Sequence, residues 1–270
     1  ASHVHAPVFH GEGGDVTGTI DESVRHAITK LSHIHFVTNE DSRRRVIQMG
    51  ENPRSVFNVG STDVEFASLA DKNFDGRTIH KSGTGVNIDV RRPFLIVMQH
   101  PVTTEKNNHR NMSMILKVID ELNMPTILFW PNSDAGTNDI AKAIRVYREQ
   151  GSLKNKKIHF VTDLPPEDFI ALLRRASVLV GNSSAGIKEC SYLGVPVVNI
   201  GTRQANRLRG PNIIDVAANA VQIKKAIQKQ LARGLYPQSD IYYKKNTSRK
   251  IVEILSKTKL YNQKKFYEKS

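Results

Sequence analysis

Between Val178 and Arg203 the chain reads VLVGNSSAGIKECSYLGVPVVNIGTR, a run of residue types suited to holding a phosphorylated ligand. An apolar stretch predicts a buried strand, followed by a Gly-Asn-Ser-Ser turn, a short helix, Gly-Val-Pro and a second buried strand. Such a turn directs free backbone N–H groups and the positive end of a helix dipole at one point, where phosphate is the usual occupant. Ser183 and Ser184 stand in the turn. Glu189, placed by spacing about a turn and a half into the helix, can accept hydrogen bonds from ribose hydroxyls. Arg203, after the next strand, offers a forked cation to a diphosphate. The residues alone therefore point to a nucleotide-diphosphate site.

A second group lies near the N-terminus. FHGEGGDVTGTIDESVRHAITK places His10, Glu12, Asp15, Asp21, Glu22, Arg25 and His26 close together in sequence. Its glycines let backbone approach a ligand closely, and carboxylates beside histidines suit general acid–base work. Asp21 or Thr19 also reads as a helix N-cap, and Glu22 as an ordinary first-turn residue. No His/Cys spacing matches a closed metal site, so no metal is expected. His100-Pro101 and the segment WPNSDAG, which contains Asn132, each follow an apolar strand directly. Both are good turn formers. Together with Asn182-Ser183-Ser184 they favour one ligand crevice at the carboxyl end of a sheet.

These groups need a scaffold. From about residue 93, apolar runs alternate with amphipathic ones. Strands are predicted at 94–99, 126–130, 158–161, 178–180, 195–200 and 213–216. One helix carries Met112, Ile115, Leu116, Ile119 and Leu122 on a single face. Others cover 140–148, a stretch opened by Pro165-Pro166, and 221–231 ending near Gly234. This is the pattern of a parallel sheet covered on both faces. Earlier, the Gly-rich loop 10–18 leads into a helix over 21–31, then a strand at 35–38, a helix at 41–49 and a strand at 56–59. Residues 68–92 show little periodicity and are expected to form an inter-domain linker.

Two strands and two helices cannot cover both faces of a sheet, and the chain starts at Ala1 rather than Met. The expectation is an N-terminally truncated piece of a longer protein, or a sheet completed by a partner chain. The predicted units are 1–67 (end of a first domain), 68–92 (linker), 93–240 (nucleotide-binding domain) and 241–270 (a helical tail packing back towards the first domain).

Composition narrows the class. No apolar run approaches the roughly 20 residues of a membrane span, so no membrane association is expected. A single cysteine, Cys190, rules out an internal disulfide framework and suits a reducing, cytoplasmic setting. It reads as a small packing residue. The net charge of +13 raises nucleic acid as a partner, but the basic residues are scattered except at the C-terminus. There Lys244, Lys245, Arg249, Lys250, Lys257, Lys259, Lys264, Lys265 and Lys269 read more simply as a solvated tail, and no nucleic-acid partner is expected. His33, His35, His80 and His159 receive no functional reading.

The blocks GEGGDVTGTIDESVRHAITKLSHIHFV, VMQHPVTTE, FWPNSDAG and GNSSAGIKECSYLGVPVVNIGTRQ resemble, in the same order, the hydrolysing UDP-N-acetylglucosamine 2-epimerases of sialic-acid and legionaminic-acid pathways. The resemblance covers nearly the whole chain. It implies two Rossmann-like domains of the GT-B kind, the first incomplete here, with substrate in the cleft. It implies elimination of UDP to a 2-acetamidoglucal, then water addition to give an N-acetylmannosamine-type sugar, without a cofactor. By motif, Glu12 and Asp21 match proton-transfer residues, supported by His10 and His26. His100, Asn132, Ser183, Ser184, Glu189 and Arg203 match UDP-contacting positions, and the Leu164 main chain would meet uracil. Assembly as a homodimer or homotetramer is expected of the full-length protein. The same reaction on UDP-2,4-diacetamido-2,4,6-trideoxyglucose is an alternative, as is a GT-B glycosyltransferase.

Two departures stand out: Lys188 where the family has arginine, and Lys244-Lys245-Asn246 where it has Gly-Asp-Gly. The family's first hundred-odd residues, with an Asp-Arg pair that supplies a catalytic acid, precede the region matched. The 270-residue chain alone is therefore expected to be nearly inactive.

Overall fold

The computed structural model describes residues 6–70, 74, 76–149 and 157–268. Residues 71–73 and 75 of the expected linker and Lys269 of the basic tail lie outside the described residues.

The protein is α/β, with helices on both faces of mostly parallel sheets. The first unit runs β1 (Phe9–Gly11), α1 (Asp21–Leu31), β2 (Ile34–Val37), α2 (Glu40–Gln48) and β3 (Val56–Asn58), its three strands parallel in the order β1-β2-β3. Next come α3 (Thr62–Leu69), α4 (Arg77–Lys81) and β4 (Gly83–Gly85). The second unit continues with β5 (Leu95–Met98), α5 (Asn108–Leu122), β6 (Thr126–Phe129), α6 (Thr137–Glu149), β7 (Ile158–Val161) and α7 (Pro166–Arg175). It ends with β8 (Val178–Gly181), α8 (Ser184–Ile187), α9 (Glu189–Leu193), β9 (Val197–Ile200), β10 (Ile213–Val216) and α10 (Ala220–Arg233). Its seven strands follow the order β10-β9-β8-β5-β6-β7-β4.

Successive side chains of a strand point to opposite faces, so an apolar four-residue strand feeds two cores at once. Ile96, Ile127, Leu179 and Val197 enter one core with α7 residues Ile170 and Leu173. Leu95, Val97, Val180 and Val198 enter the other with Ile115 and Ile119 of α5 and Ile227 of α10. Cys190 is fully buried in the first core.

Four local expectations differ from the structure. His10 lies in a strand, opposite His35, and not in a loop; a three-residue strand is defined by its partner more than by its own sequence. The α1 N-cap is neither Asp21 nor Thr19 but Ile20, whose hydrocarbon side chain can make no capping bond, while Thr19 Oγ1 donates to Asp21 Oδ2 (3.0 Å). Within residues 68–92, β4 adds an antiparallel edge strand to β7, and Ile79, Ile88 and Val90 join the core. Both His159 ring nitrogens lie 3.0 Å from carbonyls of this segment, at Ile79 and Val86. Finally, Lys188 (φ −96°, ψ −73°) interrupts the expected single helix, so Glu189 opens α9 instead of sitting within a longer helix.

After α10 the chain returns to the first unit. Ile251, Ile254 and Leu255 of α11 (Thr247–Lys257) pack on Ile34, Phe36 and Val59, and Thr247 Oγ1 donates to Val59 O (2.7 Å). Asn246, before α11, takes a left-handed φ of 62°, which asparagine tolerates better than most non-glycine residues. Lys264 Nζ donates to the carbonyls of Thr29, Lys30 and Ser32 at the end of α1, a favourable place for a cation. Among the described residues no helix is long and apolar enough to cross a membrane.

Candidate active site

The carboxyl ends of β5, β6, β8 and β9 bring the nucleotide-side residues together. His100 N donates to Asn182 Oδ1 (2.7 Å), and Asn182 Nδ2 donates back to His100 O (2.9 Å). Asn132 N donates to His100 Nδ1 (3.2 Å), which therefore carries a lone pair and leaves the proton on Nε2. Burial, then the charge of Arg203, holds the imidazole at a pKa of about 4, so it is neutral at pH 7 and able to donate from Nε2. Arg203 Nη1 donates to Asn182 O (3.3 Å), while Nη2 lies 3.4 Å from Asp134 Oδ2. Its buried Nε and Asn132 Oδ1 have no partner, so both retain capacity for a ligand.

Ser183 caps α8, its Oγ accepting from Ala185 N (3.3 Å), and Ser184 is half-buried beside it. Glu189 lines a cavity of about 530 Å³ with Asp63, Phe66, Pro166 and Phe169. Its buried Oε2 has no partner. Burial pushes the Glu189 carboxyl up to about 7; the neighbouring Lys188 charge opposes this, and Asp63 and Glu12 add to it. Leu164 is buried in the core, and its N–H is taken by Asp163 Oδ1 (2.9 Å).

The Gly-rich loop after β1 faces this surface. Glu12 Oε1 accepts from Ser61 Oγ (2.9 Å), and Oε2 pairs with Lys188 Nζ. Burial alone raises a carboxyl, but Lys188's charge, with hydrogen bonds from Lys188 and Ser61, leaves Glu12 below the usual range. His10 is held at about 4 by burial, then by the charges of His35 and Arg25. Thr29 Oγ1 donates to Arg25 O (3.1 Å), so the 3.2 Å contact makes His10 Nδ1 the donor and leaves Nε2 with a lone pair. Asp21 is exposed near Arg203, whose guanidinium feels its charge. His26 is tied to its own helix, with Nε2 3.7 Å from Glu22 Oε1 and a buried Nδ1 that lacks a partner.

The two surfaces are fastened together. Gly18 N donates to Arg203 O (3.1 Å), and a Cβ on Gly18 would come within 2.0 Å of Thr202 O. Asp15 and Arg207 form a buried ion pair. The structure thus joins Glu12 to the segment carrying Ser183, Ser184 and Glu189, and brings Asp21 near Arg203, while His26 stays with α1. Ser61, Asp63 and Arg207 escaped the sequence reading. Ser61 and Asp63 follow β3 with no motif of their own; Arg207 closes the GTRQANR run and is the one with a visible signal. Among the described residues, no group of three or more His, Cys, Asp or Glu residues stands together as a metal-holding set.

The fold is a two-unit α/β arrangement, with polar strand ends in one unit facing a Gly-rich loop of carboxylates and histidines in the other. The chain belongs to the UDP-N-acetylglucosamine 2-epimerase family, whose model matches residues 1–256. It is 33% identical over 268 residues to a UDP-N-acetylglucosamine 2-epimerase of Neisseria meningitidis serogroup B, covering 97% of this chain and 68% of that one. It is 31% identical over 264 residues to a hydrolysing UDP-N,N'-diacetylbacillosamine 2-epimerase of Legionella pneumophila, with the same coverages. A UDP-GlcNAc 2-epimerase from Methanocaldococcus jannaschii, solved with UDP-GlcNAc and UDP, shares the fold at a TM-score of 0.73 and 20% identity, over 95% of this chain and 70% of that one.

Proposed function

We propose that the protein is a hydrolysing 2-epimerase that converts UDP-N-acetylglucosamine to N-acetylmannosamine and UDP. In the first step a base takes the C2 proton and the C1–O bond to UDP breaks, leaving a 2-acetamidoglucal. In the second, water adds its hydroxyl at C1 and a proton returns to C2 on the opposite face, giving the free sugar. Glu12, ionised at neutral pH, and Asp21 carry the proton transfers, with the neutral His10 beside them and His26 in support. His100 Nε2–H, Arg203, Ser183 and Ser184 receive the diphosphate as charge builds on the leaving group. Glu189 and Asn132 use their unpartnered oxygens to accept from hydroxyls of the substrate.

The observation that carries this reading is the contact between Glu12 of the acid–base loop and the α8–α9 turn of the nucleotide motif. It supports a reading in which proton transfer occurs beside the leaving group. The test is turnover of UDP-N-acetylglucosamine by the natural full-length protein in deuterated water. Free N-acetylmannosamine bearing deuterium at C2 is expected; product without it defeats the proposal, and UDP-N-acetylmannosamine as final product defeats the hydrolysing step. The Legionella relative favours one second reading, the same chemistry on UDP-N,N'-diacetylbacillosamine, and parallel assays with both sugar nucleotides decide between them.

A further inference from the structure

Lys188 is almost fully buried, at 4% exposure. A buried ammonium is unfavourable unless paired, and the pairing here crosses between the units, from the α8–α9 break to Glu12 Oε2. Ser61 holds the other carboxylate oxygen at 2.9 Å, so both oxygens of Glu12 are fixed. Its backbone is fixed too: Glu12 N donates to Phe36 O (2.7 Å) at a left-handed φ of 61°.

The charged groups acting on this cluster come from every neighbouring element. Asp63 on α3 and Glu189 on α9 are acidic and already pushed up by burial, with Glu12's own charge contributing. Arg207 supplies a further positive charge, and His10 stands next to Glu12 as a neutral ring. Lys188 is the cation that touches Glu12 within a group of three carboxyls.

We infer that Lys188 is a positioning residue that holds Glu12 in place as a carboxylate, and that the turn seating the nucleotide thereby also sets the acid–base group. Lys188 directly precedes Glu189, so the two tasks share one backbone segment. A ligand pulling on Glu189 acts on the anchor of Glu12. The inference rests on the reading of Glu12 as an acid–base group.

The test is carbon-13 NMR titration of labelled glutamate carboxyls in the natural protein, with the Glu12 signal assigned by its loss in Glu12→Gln. In a folded Lys188→Met variant, Glu12 is expected to bind its proton at least tenfold more tightly, and Lys188→Arg to restore it. Lys188→Gln, which keeps a polar side chain but drops the charge, must shift Glu12 the same way, so the conclusion does not hang on Lys188→Met folding; Ser61→Ala, which keeps the ammonium, shifts it by less. In turnover, the acidic limb of kcat/KM moves at least one pH unit upward in Lys188→Met, with kcat falling more than KM changes. An unchanged Glu12 titration in folded Lys188→Met, or in Lys188→Gln if the first does not fold, overturns the inference. Absence of UDP release by the unaltered protein would count against the proposed function, and the NMR comparison still decides this one.

Discussion

The Asp15 carboxylate and the Arg207 guanidinium lie 2.8 Å apart with side chains only 4% and 6% exposed. One belongs to the Gly-rich loop and the other follows β9, so the pair fastens the units at the edge of the site. Removing one partner of a buried pair strands the other charge. Arg207→Met is expected to lower unfolding free energy by about 3–5 kcal/mol in urea titrations, and the double variant Asp15→Leu/Arg207→Met to recover most of that. Equal losses in single and double variants would contradict this account.

Glu12→Gln keeps the side chain's shape and removes its ability to take a proton. Turnover is expected to fall by about 10²–10⁴, the usual span for one general acid–base group. UDP affinity by calorimetry should fall far less than turnover, because Glu12 acts on the leaving-group side only through its pairing with Lys188. A parallel loss of UDP binding would move Glu12 from chemistry to ligand seating.

Glu189 titrates near 7, and hydroxyl donors prefer its ionised form. Affinity for a UDP-sugar, measured in the Glu12→Gln background, should therefore rise with pH as Glu189 ionises, at a lower pH than with Glu12 present because that neighbouring charge has been removed. Glu189→Gln should flatten that dependence and weaken binding about 10- to 100-fold, the worth of one hydrogen bond to a charged group. A pH-dependent rise that persists in Glu189→Gln would assign it to another group.

Glu51 is buried between His35, Lys30 and Lys264. Burial pushes its carboxyl up, and the hydrogen bonds of His35, Lys264 and Lys30 overcome this to hold it at about 2. A carboxyl whose folded value is depressed stabilises the fold above its unfolded value and loses that contribution as pH falls. The protein should therefore lose on the order of 3 kcal/mol between about pH 5 and pH 2 through this group. Urea midpoints across that range check it: Glu51→Gln should be less stable at pH 7 and show a shallower acid slope.

The parallel strands of the second unit were legible because they are dominated by apolar residues and regularly spaced. Burial on both faces leaves no other pattern for residues such as Leu95–Val97 and Val178–Val180. β1 and β4 were not legible: FHG and GTG carry no strand signal, and their pairing with β2 and β7 comes from chain distant in sequence. Buried unpartnered polar atoms occur on the motif residues Asn132, Glu189 and Arg203, but also on residues that no motif marked, such as Ser42, Asn58 and Arg174. The contact of Glu12 with Lys188 spans 176 positions, and no local pattern announces it. The break at Lys188 was hidden for a related reason, since SAGIKECSYL holds no proline and no residue that marks a stop between Ile187 and Glu189.

Gly18 acts as a gauge for the aperture between the units. Its missing side chain lets the Gly-rich loop come down onto Thr202 and Arg203. Even the methyl group of alanine would act as a wedge there, and no rotamer change could relieve it because the obstacle is a carbonyl oxygen of the backbone. Variation at this position would alter the distance across which the two halves cooperate while leaving every reactive group intact. An enzyme altered at this one spot would keep its full complement of functional groups but hold them at the wrong separation.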